Sequence, residues 1–473
     1  MTMNANGAKG RRVPSRGSVW PWILGIGCVL VILIAMVLPR QARRTGLAGT
    51  AAEPGGGAPA GSGNGGTGLR SHARAGALAG PTAQEIVAAK VSQFAQKRWQ
   101  TVQAMARHFK VEVPAEVKRF FEAVQAGRQE EADALFKSMS EKRKSPSTTS
   151  NTVEGLQKLW PAVMETYGVT KEADKWPPQK LLDYGNAVLD SLRPDMVYLG
   201  GTDPGRFIPT LLNETSDASP HAILTQNAFA DGAYLDYVRF LYGDQMAMPT
   251  PDESQRAFQD YIADATQRLQ HDEQFPDEPK QLRPGEEVQM IDGRIQVSGE
   301  VAVMGINELM LQTLMQKNPD ASFALEESFP LKSTYADATT LGPIMELGHQ
   351  DAQAALTPER ASQSLDYWRT TTQELLDDPD TPEGSTPRNA YAKLLVSQAN
   401  LFLDRNYSDQ AEGALRLATE LNPANPEAVY NYAGLLAKEN RFAEASQLVQ
   451  TALTLAPANQ GFQTLLQTLN KSK

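Results

Sequence analysis

The chain has 473 residues, 41% of them hydrophobic and 21% charged, which is an ordinary globular composition. Its formal net charge of −10 argues against nucleic-acid binding, which needs a basic face. The single cysteine, Cys28, excludes an intramolecular disulfide, and the absence of any HExxH or CxxC spacing leaves no metal site expected. Two or three domains are expected at this length.

Residues 1–18 form a polar, basic tail with Lys9, Arg11, Arg12 and Arg16. Val19–Leu38 follows as an uncharged apolar run with Trp20 and Trp22 at its start, long enough to cross a bilayer as a helix. A cleaved signal peptide is the competing reading. The length of the run, with no small-x-small site close behind it, favours an uncleaved anchor over 19–39. Arg40, Arg43 and Arg44 follow the run, and the balance of basic flanks favours an N-terminus inside and a body outside the cytoplasm.

Residues 40–82 read as a flexible Gly/Ala/Pro tether, including GGGAPAGSGNGG at 55–66, with a reach of roughly 35 Å. Residues 83–142 read as helices. Ile86, Val87, Val91 and Phe94 fall at helical spacing, and further helices run from about Pro114 to Gly127 and Glu130 to Met139. They suit a small self-packed segment or a partner-binding hairpin. A linker, RKSPSTTSNT, spans 143–152.

From 153 to 350 short apolar runs alternate with helical stretches, which predicts an α/β domain, layered around a mostly parallel sheet. The strand candidates are Met196–Leu199, Ala222–Gln226, Ser322–Glu326 and Ile344–Leu347. The helices expected between and around them cover Val153–Tyr167, Pro178–Leu192, Phe207–Asn213, Gly232–Tyr242, Ser254–Leu269 and Val301–Gln316. Asp292-Gly293 between apolar runs signals a hairpin, or a single exposed turn.

The densest functional signal is PDMVYLGGTDPGR at 194–206, a strand that breaks at Gly-Gly and hands over to a capped helix. Gly200 and Gly201 allow close approach of backbone, Thr202 or Asp203 caps the helix, and Arg206 offers a bidentate donor. The segment reads either as a structural turn or as a site for an anionic group. It is neither GxGxxG nor GxxxxGK[ST], so no cofactor is named. A second cluster, TQNAFADG at 225–232, would bring Asn227 and Asp231 to the same crevice if the two strands are neighbours. Glu326-Glu327 reads as a solvated strand end, or as a carboxylate pair for acid–base work or metal binding. His221 reads as a packed or surface residue, and no nucleophile–base pair is visible.

Residues 357–473 read as an all-α stack. Ala399, Ala411, Ala418 and Pro423 recur at Ala433, Ala445, Ala452 and Pro457, each after 34 residues. This resembles tetratricopeptide repeats, where small residues let paired helices approach and proline ends the second helix. Tyr407 stands one position off its counterpart Phe442, so the first turn is expected to be irregular. Helices at 357–378 and 459–470 are expected to complete the stack.

Finally, LWPAVMETYG, LRPDMVYLGGTDPGRFIPTLL, ILTQNAFADGAYLDYVRFLYG, DESQRAFQDYIADA, DGRIQVSGEVAVMGIN and FALEESFPL, within about 156–348, resemble a bacterial family of unknown function. That family is related to the soluble tail of protein O-mannosyltransferase-like membrane proteins. There a Gly-Asp-Asn-Asp-Thr-like turn follows the equivalent strand. Gly200 and Asp203 match its first Gly and last Asp, Gly201 and Thr202 depart from it, and Pro204 replaces its Thr. The resemblance implies an exported soluble body. The expectation is therefore a single-pass bacterial inner-membrane protein, its soluble part periplasmic, that binds a protein or peptide through its repeats. The alternative is an enzyme or sugar/phosphate-binding accessory of envelope glycosylation using the Gly-Gly-Thr-Asp loop.

Overall fold

Thr82 starts the first helix with a capping box: its hydroxyl accepts from the Glu85 amide (3.2 Å) and the Glu85 carboxylate accepts from its amide (2.8 Å). The computed structural model describes residues 80–144, 151–218, 220–291, 294–348 and 355–471. The apolar run Val19–Leu38 and most of the tether lie outside them. Among the described residues no helix is long and apolar enough to cross a membrane.

Helix α1 (Ala83–Phe109) ends at Lys110, whose φ of 57° turns the chain back. Helix α2 (Ala115–Gln125) folds against it and α3 (Gln129–Lys144) against α2, burying Phe120, Phe121 and Phe136. Helix α4 (Asn151–Lys175) runs well past Tyr167, where it was expected to end, and continues through Pro161. Its burial against α1 and α3, and against helices that follow, outweighs the local cost of the proline.

Next come α5 (Pro178–Leu189), β1 (Val197–Gly200), α6 (Asp203–Glu214), β2 (Ile223–Thr225), α7 (Gly232–Tyr242) and α8 (Pro251–Gln274). Strands β3 (Glu287–Ile291) and β4 (Arg294–Ser298) pair antiparallel as a separate hairpin. Its Asp292-Gly293 turn lies outside the described residues. Then follow α9 (Glu300–Lys317), β5 (Phe323–Glu326), a 3-10 turn at Lys332–Asp337, β6 (Thr339–Leu341) and β7 (Ile344–Leu347).

The five-stranded sheet has the order β2-β1-β5-β7-β6. Strand β1 is parallel to β2 and to β5, whereas β7 is antiparallel to both β5 and β6. The sheet is therefore small and mixed, not mostly parallel, and helices dominate the molecule. The reversal comes from Gly342-Pro343: Leu341 pairs with Ile344 across this two-residue loop, and Gly342 has φ 54°. The parallel strands β1, β2 and β5 end together at Gly200, Thr225 and Glu326.

The C-terminal helices are α10 (Pro358–Asp377), α11 (Thr386–Asp404), α12 (Ser408–Leu421), α13 (Pro426–Lys438), α14 (Phe442–Leu455) and α15 (Gln460–Lys471). Ala399, Ala411, Ala418, Ala433, Ala445 and Ala452 are all fully buried where paired helices cross. Helix α10 packs on α12, and α15 packs on α14 and α13. The turn of the first pair is regular, contrary to expectation. Asn406 and Asn440 share a left-handed backbone (φ 60° and 63°). The next amides, of Tyr407 and Arg441, bond back to Phe402 and Leu436 carbonyls at 2.9 and 2.8 Å. The shifted aromatic changes a side chain and leaves the turn intact.

Candidate functional site

Strand β1 lies between β2 and β5, so the chain order reverses between β1 and β5 and opens a crevice at their C-terminal ends. Gly200, Gly201 and Thr202 stand there, and Glu326 reaches into the crevice from β5. Its Oε2 accepts from the amides of Gly201 (2.8 Å) and Thr202 (2.7 Å), and its Oε1 accepts from the Thr202 hydroxyl (2.8 Å). The Thr202 hydroxyl also caps α6 by accepting from the Gly205 amide (3.1 Å). The amides that would have met an anionic ligand at this helix start are engaged by a carboxyl of the same chain. Burial raises the Glu326 carboxyl above the ordinary carboxylate range, and the Thr202 and Gly201 donors pull it back in part.

The glycines make the fit. A Cβ on Gly205 would overlap the Glu326 carboxyl, and one on Gly201 would meet the Ser328 amide and the Gln226 amide oxygen. Gln226, part of the 225–232 cluster but not among its candidate site residues, closes the neighbouring space. Its Oε1 accepts from the Ser328 amide (2.8 Å) and hydroxyl (2.9 Å), and its Nε2 donates to the Phe329 carbonyl (3.1 Å). Asp203 pairs with Arg206 (2.8 Å), which lies over the Phe207 ring. Asp231 caps α7 by accepting from the Ala233 amide (2.8 Å), and Asn227 is exposed. β1 and β2 are neighbours, so these residues do share one end of the sheet. Arg206, Asp203 and Asp231 are each engaged with a neighbour in the chain. His221 sets its Nδ1 3.2 Å from the Met196 carbonyl, in a structural role.

Glu327 likewise departs from the solvated strand end expected of it: Glu326 and Glu327 are each 1% exposed. The two carboxyls point to different partners. Glu327 Oε2 accepts from the Tyr335 hydroxyl (2.5 Å), on the side of the helical stack.

There a cleft of about 500 Å³ opens between the 330–335 segment and the first helix of each pair. Lys332 and Tyr335 form one wall, and Asn400 and Asp404 of α11 with Glu427 and Asn431 of α13 form the other. Asn431 donates to Asn400 (3.3 Å). Lys393 of α11 is held by both oxygens of Glu427 (2.7 and 2.6 Å). A second cleft of about 420 Å³, between α1, α5 and α6, includes Lys90 and Asn213. Neither cleft includes the Gly-Gly loop.

Helix pairs repeating every 34 residues, with alanine at each crossing and an asparagine in each turn, decide the class of the stack. Residues 407–469 match the tetratricopeptide repeat. No curated protein and no solved structure matches the chain. The match leaves residues 156–348 unassigned. Tetratricopeptide repeats mediate protein–protein contacts, and here the repeats are joined to the sheet. Gln398 donates to the Ile344 carbonyl of β7 (2.9 Å), Ser397 to the Glu327 carbonyl (3.3 Å), and Arg405 to the carbonyls of Tyr335 (2.9 Å), Ala336 and Ala338. The cleft residues carried no sequence motif. The 34-residue register did hold one clue: Lys393 and Glu427 occupy equivalent positions in successive tetratricopeptide units, which makes them neighbours.

Proposed function

We propose that this chain is a membrane-anchored docking protein that holds a segment of another protein in the cleft between its tetratricopeptide helices and the 330–335 wall. The observation that carries the reading is the cleft itself, where carboxamides of Asn400 and Asn431 face a wall from a different part of the fold. A carboxamide carries a donor and an acceptor at the spacing of a peptide group, and although Asn431 donates to Asn400, the Asn400 amide and the Asn431 oxygen remain to meet an extended backbone. Anchoring is supported by the Val19–Leu38 run, and placement at the outer face of a bacterial inner membrane by its basic flanks. The net charge of −10 supports a protein partner over nucleic acid.

Sugar or phosphate binding at the Gly-Gly loop would need the amides of Gly201 and Thr202, which Glu326 holds. The docking reading is tested with a photo-crosslinking residue placed at Asn431 or Asn400 in the full chain in its own membrane, and at exposed Gln447 of α14 as control. Adducts with one protein from the cleft positions, and none from Gln447, support the reading. Equal labelling from both surfaces overturns it.

A further inference from the structure

Glu327 sits where the cleft wall meets the sheet. Its Oε2 accepts from the Tyr335 hydroxyl (2.5 Å) and the Leu331 amide (3.3 Å), while its buried Oε1 has no hydrogen-bond partner. Tyr335 lines the cleft. Ser397 of α11 and Arg405, which caps its C-terminus, hold the carbonyls of Glu327, Tyr335, Ala336 and Ala338. One carboxyl thus fixes the ring that forms the wall, and α11 fixes the backbone on either side.

The charges around it do not settle it as an anion. Lys393 of α11 and the Tyr335 and Leu331 donors favour the ionised form, but burial outweighs them, and Glu427 of α13, which grips the Lys393 ammonium with both oxygens, acts with burial. Asp404 of α11 bears on Tyr335. Glu326, next in the chain, faces the α6 loop. The Arg405 guanidinium is committed to backbone carbonyls. Among the described residues Glu327 forms no ion pair. A buried carboxylate with one oxygen unpaired is costlier than a neutral carboxyl with one unpaired hydroxyl.

We propose that Glu327 is a proton-operated latch on the cleft: uncharged, it holds Tyr335 and the 330–338 wall against α11, and ionised, it lets that wall part from the helix. Burial pushes its carboxyl up to about 7, from an ordinary value of 4.5. A carboxyl raised in the closed state binds its proton more tightly there than in the open one. Closure is therefore strongest below 4.5, weakens as pH rises towards 7, and changes little above it. The bearing of the latch on binding rests on the cleft being the docking site, whereas the latch itself needs no partner.

The test is amide hydrogen exchange by mass spectrometry on the full chain, corrected for intrinsic rates, at pH 5.5 and 8.5. Protection across Leu331–Ala338 is expected to fall about 30-fold more than elsewhere in the wild type, the ratio set by titration at 7 closed and 4.5 open. Glu327→Gln should abolish the difference. Tyr335→Phe, which removes the hydroxyl, should be poorly protected at both pH values. Constant protection in the wild type, a uniform drop over the whole chain, or an unchanged difference in Glu327→Gln overturns the latch. Crosslinking at Asn431 can fail while this titration succeeds, so the two readings fall separately.

Discussion

Thr202 and Glu326, 124 residues apart in sequence, are joined by two hydrogen bonds, amide to Oε2 at 2.7 Å and hydroxyl to Oε1 at 2.8 Å. The pair fixes the start of α6 to the end of β5. It also places a carboxyl at a helix N-terminus, where the orphan amides and the helix dipole both favour an anion.

Glu326→Ala should cost about 3 kcal/mol in urea denaturation, because one buried and two part-buried donors lose their acceptor at once. Glu326→Gln keeps one oxygen and should recover part of the loss. A cost below about 1 kcal/mol for the alanine variant would mean that water replaces the carboxyl freely.

Gly205→Ala reverses the usual sign of its substitution. Alanine in place of glycine within a helix normally stabilises by about 1 kcal/mol. At Gly205 the new methyl meets the Glu326 carboxyl, so a loss of about 3 kcal/mol is expected. Gly232, at the start of α7, has open space beside it. Gly232→Ala should be neutral or slightly stabilising when both variants are compared by urea denaturation.

Arg98 bolts α1 to the rest of the fold. Its side chain is buried between Glu165 (2.5 Å) and Glu214, and the Tyr237 hydroxyl donates to Glu165 (2.7 Å). Arg98→Met should cost about 3–5 kcal/mol at pH 8, since two carboxylates lose their counter-charge. Burial already raises the Glu214 carboxyl, with Arg98 opposing. Without the guanidinium its proton binds more tightly in the folded state, so the deficit should shrink as pH falls towards 5. A deficit independent of pH would point to lost packing alone.

Asn440→Ala and Asn406→Ala should each cost about 1 kcal/mol, the penalty of a side chain in a left-handed turn without the tolerance of asparagine. Asn440→Gly should cost nothing. Equal values at the two positions would confirm that the turns are equivalent.

Much of this architecture is legible in the chain. The four apolar runs between 196 and 347 are strands, and α7 spans the residues expected of it, because short buried strands and capped helices are local features. The mixed sheet was readable only from Gly342-Pro343, a two-residue turn signal that makes β6 and β7 a hairpin. Thr339–Leu341 is too short to announce itself. The buried roles of Glu326 and Glu327 could not be seen locally. A carboxylate at a strand end is solvated unless distant donors meet it, and Gly201, Thr202 and Tyr335 reach these two only through tertiary folding. The Gly-Gly-Thr-Asp loop was read as either a structural turn or a site for an anionic ligand, and its backbone amides meet the Glu326 carboxyl. Nothing in its spacing revealed that the group belongs to the same chain.

The hydrogen bond from Gln398 to Ile344 makes the two ends of the repeat stack unequal. Helix α11 is built into the sheet, whereas among the described residues α15 packs chiefly on α14 and α13. Repeats added after α15 would lengthen the arm by neighbour contacts alone and leave its base unchanged. A repeat inserted ahead of α11 would pull the arm off its mount. Lineages carrying longer or shorter versions of such a chain should therefore differ at the far tip, with reach as the variable and the sheet as the fixed shoulder.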